Sequence, residues 1–402
     1  MIAVLLAQTI AITGGTVYPV SGPKIENATV LIRDGVITAV GASIPVPSGA
    51  TRIDATGKWV TPGLFNAYTQ LGLTEISQVQ STNEFRQSTN EVAAAFNVAA
   101  GINPASQLIP VQRVDGITTV LTAPRGGLIA GQAVVIDLAG ATVAEMLAGP
   151  RAAMVGGIAA KDAGGGSRAG VAARWRQVLN DARDFPRRRA DFERGQTRDL
   201  AAPAADLEAL QPVLAGTLPL VLQADRRSDI LAALDLAAEY KLRIIIGGGA
   251  EAWMVADRLA AARVPVVLAP LANIPGYDGL GARYDNAARL QRAGVRVAFT
   301  TAADGSHNAR LVKQDAGNAV SYGLPWDEAL RAVTLTPAEI FGLGDRYGAL
   351  KAGAVANVVV WSGDPFEFST AVEHVFIRGK EIPLVSRQTE LLDRYRTLPP
   401  KY

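Results

Sequence analysis

The sequence holds no cysteine and only two histidines, His307 and His374, in 402 residues. The first absence excludes disulfides, thiolate zinc sites, iron–sulfur clusters and a thiol nucleophile. The second excludes any site built mainly from imidazole. Excess charge is missing too. The 39 Lys and Arg residues face 37 Asp and Glu, and a net charge of +2 leaves no electrostatic footprint for nucleic acid. No apolar run approaches the roughly 20 residues needed to cross a bilayer. Near the N-terminus, the apolar stretch Ile2 to Ala7 (IAVLLA), followed by Gln8, has two readings. It is the tail of a signal peptide, which makes the protein periplasmic or exported, or it is a first strand and the protein is cytoplasmic.

What is present is the mix of a well-buried soluble protein, 49% hydrophobic and 19% charged. Thr9–Val20 and Ala28–Val40 have β character, and Asp34-Gly35 between VLIR and VITAV is a two-residue hairpin signal. From Thr61 the rhythm changes to short apolar runs followed by helical segments, the mark of parallel βα units. The clearest runs are LPLVLQA (Leu218–Ala224), LRIII (Leu242–Ile246), VPVVLA (Val264–Ala269) and VRVAFTT (Val295–Thr301). Four consecutive units predict a barrel or a doubly wound sheet. The tail returns to β-structure at ANVVVW (Ala356–Trp361) and VEHVFIR (Val372–Arg378), so the two chain ends are expected to pair. Arg174–Asp199 mixes both charges densely, which predicts a solvated helical insertion.

The order of these segments, together with GKWVTPGLFNAYTQLG (Gly57–Gly72) and the stretch Ala329–Pro365, resembles the amidohydrolase superfamily, nearest its imidazolonepropionase-like branch. The resemblance implies a (β/α)8 TIM-like barrel over 61–343, with a charged helical insertion near 165–200. It also implies a composite β-sandwich built from 9–60 and 344–388. It implies hydrolysis of carbon–nitrogen bonds other than peptide bonds, by one or two divalent metals held at the C-terminal ends of the barrel strands. At the positions where that family carries its metal ligands, this sequence has Tyr68, Gln70, Gln223, the run Gly247–Gly249 and Ala302. Neutral amides and a phenol replace imidazole poorly for zinc. The expectation is therefore no metal and no other cofactor, with two functional readings open. One is a hydrolase that works without metal. The other is a catalytically silent homologue that binds a small molecule or supports an active paralogous subunit.

Candidate site residues follow from the same frame. Asp304 and His307, just past the last barrel strand, are candidates for acid–base catalysis, or they form an ordinary turn. Tyr68, Gln70 and Gln223 would line a polar, uncharged pocket, or fill the volume of a lost metal site. Arg226 after strand five is a candidate for meeting a carboxylate, or it caps the next helix. Gly126-Gly127 is a turn or a backbone anion nest. His374 alternates with strand residues and reads as structural. The partners expected are a small-molecule ligand and either a second copy of the chain or a paralogous amidohydrolase.

Overall fold

The computed structural model describes residues 9–272, 274–301, 305–397 and 399, so the stretch Ile2 to Ala7 lies outside the described residues. The chain opens with β1 (Thr9–Val17), β2 (Ile25–Arg33), β3 (Val36–Gly41), β4 (Thr51–Asp54) and β5 (Trp59–Pro62). Next come β6 (Leu64–Thr69), β7 (Ile117–Thr122), β8 (Ile129–Asp137) and β9 (Leu147–Gly157). These are followed by β10 (Leu220–Ala224), β11 (Ile244–Gly248), β12 (Val266–Leu268) and β13 (Val297–Phe299). The tail supplies β14 (Val358–Trp361), β15 (Val372–Ile377) and β16 (Lys380–Ile382).

Both chain ends enter one eight-stranded sheet, in the order β16-β15-β14-β5-β1-β2-β3 with β4 also beside β1. The seam is the antiparallel pair β5–β14, where Val60 faces Val360. One edge of β1 is shared: Ile10–Thr13 pairs with β4 and Thr16–Val17 with β5. The sheet thus branches at β1, and Ile12, Val30, Val60, Val358, Val360 and Phe376 pack into one apolar cluster. The hairpin expected at Asp34-Gly35 forms, with both residues at positive φ (+50° and +81°), as a type I′ turn requires.

The second sheet takes β6 to β13 in sequence order. A hydrogen bond from Thr300 Oγ1 to the Tyr68 carbonyl (2.6 Å) brings the segment after β13 against β6. Alternation along each strand divides the apolar side chains. Val221, Ile245, Val267 and Ala298 join the inner cluster, while Leu220, Leu222, Ile244 and Ile246 pack outward against helices. The regular (β/α)8 expectation needs one correction. β8 runs antiparallel to both β7 and β9, while the other seven strands share a direction. Only six residues, 123–128, join β7 to β8, and a parallel crossover needs about a dozen.

The charged stretch forms a helix over Arg168–Glu193, and it is not wholly solvated. Val171, Trp175, Val178, Leu179, Ala182 and Phe185 recur at helical spacing and bury against the barrel. Its arginines stay outside in ion pairs such as Arg176–Glu239 (2.9 Å) and Arg189–Glu193 (3.0 Å). Among the described residues no helix is long and apolar enough to cross a membrane.

Barrel and terminal sheet are joined by polar groups as well as apolar ones. Asp137, at the end of β8, is fully buried. Its Oδ2 accepts from Arg378 Nε (2.6 Å) and from the Tyr347 hydroxyl (3.0 Å), and its Oδ1 from Asn357 Nδ2 (2.8 Å) and Thr119 Oγ1 (3.0 Å). Burial and this carboxylate together push the Tyr347 phenol well above its ordinary pKa. Replacing Asp137 with Ala leaves Arg378 and three further donors without their acceptor. The expected loss is about 3 kcal/mol of unfolding free energy, measured by urea denaturation, with faster amide exchange in β14 and β15. A loss under about 1 kcal/mol would show that the joint is incidental.

Candidate functional site

The strands of one direction end at a cavity of about 700 Å³, bounded by Tyr68, Gln70, Gln223, Asp225, Gly247 and Gly248 among others. Period-two alternation explains why Gln223 reaches it. Val221 points into the barrel interior, so Gln223, two residues on, faces the same way at the strand's C-terminal end. On β11 the residue after inward-facing Ile245 on that face is Gly247, which has no side chain to project.

The two strands fit together through that gap. A Cβ at Gly247 would lie 2.6 Å from Gln223 Nε2, so the Gln223 amide occupies the space that a residue at 247 would need. Gly248, at φ +89°, repeats the arrangement, because a Cβ there would collide with Asp225 Oδ1. Asp225 Oδ1 accepts from the Ala250 amide (3.2 Å). Asp225 stands exposed at the rim of the cavity; partial desolvation there raises its pKa, helped by the negative charges of Asp278, Asp229 and Glu251.

Tyr68 donates its hydroxyl to the Pro124 carbonyl (3.0 Å). Burial pushes the phenol up to about 12, while the charge of Arg125 and a hydrogen bond with the Gln223 side chain pull the other way. The ring therefore stays a neutral donor. Gln70 is buried at 7% exposure, and its Nε2 has no hydrogen-bond partner.

Tyr68, Gln70 and Gln223 thus come together at one mouth. Other candidates are placed differently. Arg226 precedes the helix Arg227–Tyr240 and sits outside the cavity lining, 5.8 Å from the Tyr277 ring and 3.9 Å from Asp278. The His307 carbonyl accepts from Gln112 Nε2 (3.0 Å) and Arg310 Nη1 (3.2 Å), and His307 too is outside the lining. Asp304 and Ala302 lie outside the described residues. His374 bonds Glu381 (2.7 Å) across the β15–β16 pair, far along the terminal sheet.

Five charged residues of the cavity wall escaped sequence reasoning: Arg86, Arg125, Asp162, Asp229 and Asp278. All come from loops or a helix start, where no periodicity announces direction. One signal was available for Arg125, since it adjoins Gly126 and Gly127, which take φ +97° and +68°.

Strands in chain order around an apolar interior, with a polar cavity at their C-terminal ends and β1–β5 and β14–β16 in a flanking sheet, form a TIM-like barrel architecture. Residues 251–382 match the sequence model of the amidohydrolase family. An amidohydrolase from Thermotoga maritima has a crystal structure that superposes with a TM-score of 0.84 at 27% identity, covering 93% of this chain and 99% of that one. The imidazolonepropionase of Acidiphilium cryptum is 26% identical over 85% of this chain and 89% of its own length. Amidohydrolase tasK of Hapsidospora irregularis is 26% identical over 87% of this chain, which spans only 39% of that longer protein. These similarities relate the chain to the amidohydrolase superfamily, with imidazolonepropionases among its relatives at low identity.

The loop after β12 borders the mouth through Ala269 and Ala272 and is fastened by Asp315, whose Oδ1 accepts from the Leu271 amide (3.0 Å). Asp315 is 1% exposed, and burial pushes its carboxyl up to about 7. The folded state therefore holds this proton where the unfolded chain has lost it. The resulting stability is complete below about pH 4 and disappears as pH rises through about 7, with a slope approaching about 1.4 kcal/mol per pH unit. Urea denaturation between pH 4 and 7 should show this decline for the wild type and a flatter profile for Asp315→Asn. Parallel profiles would assign the proton elsewhere.

Proposed function

We propose that this chain is an amidohydrolase-type protein, related to hydrolases of carbon–nitrogen bonds other than peptide bonds, whose barrel mouth holds a small molecule by hydrogen bonds where its relatives use metal. The observation that carries the reading is the Gln223 side chain lying over Gly247. Two positions at which the family resemblance expects ligands hold a mutually fitted amide and glycine, and the Gln223 side chain lies close enough to Tyr68 to act on its phenol.

The donor chemistry supports the same reading. A divalent ion in such a mouth needs imidazole or several carboxylates. Among the described residues these strand ends supply a protonated phenol, two neutral amides and the Asp225 carboxylate, while Asp162, Asp229 and Asp278 lie elsewhere on the cavity wall. Among the described residues, no cluster of three or more histidines, aspartates or glutamates could hold a metal ion. These residues do not fit the family metal, so no step is drawn through one. Binding is the primary role in this reading, and any hydrolysis would have to run on Asp225 as a metal-free acid or base.

A second role, support of an active paralogue, is favoured by the loop that edges the mouth. Ile274, Tyr277 and Leu280 stand there at 86%, 76% and 71% exposure, an apolar group of the kind that covers a partner surface.

Elemental analysis of the purified full-length protein after dialysis against zinc and manganese tests the metal-free reading. Less than about 0.1 ion per chain is expected, with the melting temperature unchanged by a chelator. About one ion per chain, lost together with stability on chelation, would overturn it. Gln223→Leu separates a binding mouth from a vestigial one. It should weaken guest binding by about tenfold or more at unchanged stability, whereas in a vestigial mouth the same change is neutral or stabilising.

A further inference from the structure

The mouth is electrically divided, and the division says what kind of guest it suits. On one side Arg86 and Arg125 flank the turn Gly126-Gly127. Arg86 Nε lies 3.5 Å from the Cβ position of Gly126, so its guanidinium lies along the turn's backbone. The Arg125 amide donates to the Phe85 carbonyl (3.0 Å), which holds the two arginine-bearing segments together. Arg125 is close enough to Tyr68 for its charge to act on the phenol. Among the described residues neither guanidinium has an ion-pair partner. Arg168, by contrast, bridges two carboxylates of the cavity wall, Asp229 (2.7 Å) and Asp278 (2.6 Å).

Around Asp225 the balance is acidic, although Asp278 also meets Arg226 at 3.9 Å. The charged side chains acting on Asp225 are all acidic: Asp278, Asp229 and Glu251. Arg168 is already committed to two carboxylates, and it leaves Asp229 Oδ2, in a residue only 4% exposed, without a hydrogen-bond partner. Gln70 supplies an independent sign of a missing occupant. It lines the same cavity, is more than nine-tenths buried, and its Nε2 donor is unsatisfied. An unpaired buried polar group of this kind costs about 1–3 kcal/mol, which a ligand acceptor would recover.

Resting on the reading that the mouth holds a small molecule, we propose that its guest is a zwitterion, with a carboxylate received by Arg86 and Arg125 over the Gly126-Gly127 turn and an ammonium received by Asp225. Guanidinium groups match carboxylates in geometry and charge. An ammonium beside Asp225 removes the local excess of negative charge. Tyr68 and Gln223, both neutral, lie between the two poles and suit an uncharged polar middle such as an amide. A volume of about 700 Å³ admits a guest of dipeptide size or somewhat larger.

The test uses one amide-containing skeleton in four forms: free zwitterion, N-acetylated, C-amidated and doubly blocked. Each is titrated calorimetrically against the full-length protein, with glycyl-leucine as the first skeleton and 6-aminohexanoyl-glycine as a longer one. The free form should bind, and each single block should weaken binding by about tenfold or more. The paired variants give the assignment. Arg86→Gln together with Arg125→Gln should weaken the free and N-acetylated forms and leave the C-amidated form unaffected. Asp225→Asn should weaken the free and C-amidated forms and leave the N-acetylated form unaffected. Circular dichroism melts of both variants check that folding is intact, and Asp225→Asn keeps the side-chain volume that meets Gly248. Should the doubly blocked form bind as well as the free one, the zwitterion proposal fails while the small-molecule reading stands. Should no form of either skeleton bind, and a screen of neutral amides and ureas also give nothing, both fail.

Discussion

The direction of β8 is the constraint on which the remainder of the molecule depends. A six-residue connection after β7 permits only a hairpin, so β8 returns antiparallel through the barrel wall. That reversal has two consequences at opposite ends of the barrel. The β7–β8 turn falls at the mouth and delivers Arg125, Gly126 and Gly127 to the cavity. The C-terminal end of β8 falls at the floor and delivers Asp137 to the terminal sheet, where Arg378, Asn357 and Tyr347 converge on it. One short loop therefore sets an element of the site and the principal polar joint between the two sheets.

The joint also shows how a chain with its ends nearly 400 residues apart closes on itself. Apolar strands β5 and β14 form the seam, with Trp361 fully buried and its Nε1 donating to Thr61 Oγ1 (2.8 Å). Hydrophobic burial is not directional, however. The Asp137 network, with its fixed donors, allows one docking of the sheet on the barrel floor. Gly116 contributes in the same region, since any Cβ there would run into the Trp361 ring.

At the mouth, neighbouring strands are matched by the same economy of space. Gln223 over Gly247 and Asp225 over Gly248 mean that side chains from one strand fill the room left by its neighbour. One of these fits is neutral and the other carries a carboxylate. Electrostatic selection of a guest then falls to Arg86, Arg125 and Asp225, with Gln70 as an unsatisfied donor among them.

Much of this was written locally. The alternation in LPLVLQA and LRIII determined which residues of β10 and β11 face inward, because a strand's two faces are fixed by a period of two. The Asp34-Gly35 turn, the β character of both end segments and the polar residues Tyr68, Gln70 and Gln223 at the barrel mouth were equally legible. The amphipathic burial of Trp175 and Phe185 was hidden by the density of charge around them, since the arginines cover the outer face of the same helix. The reversal of β8 could have been counted from the loop length, but the apolar run itself reads the same in either direction. What the sequence alone could not determine was which loop residues meet across the mouth. Arg86, Arg125, Asp229 and Asp278 carry no periodic signal, and their convergence depends on long-range closure of the barrel. Only the tertiary structure decided that Arg86, Arg125 and Asp225 should line one cavity, because charges far apart in sequence acquire a common field only when the fold brings them together.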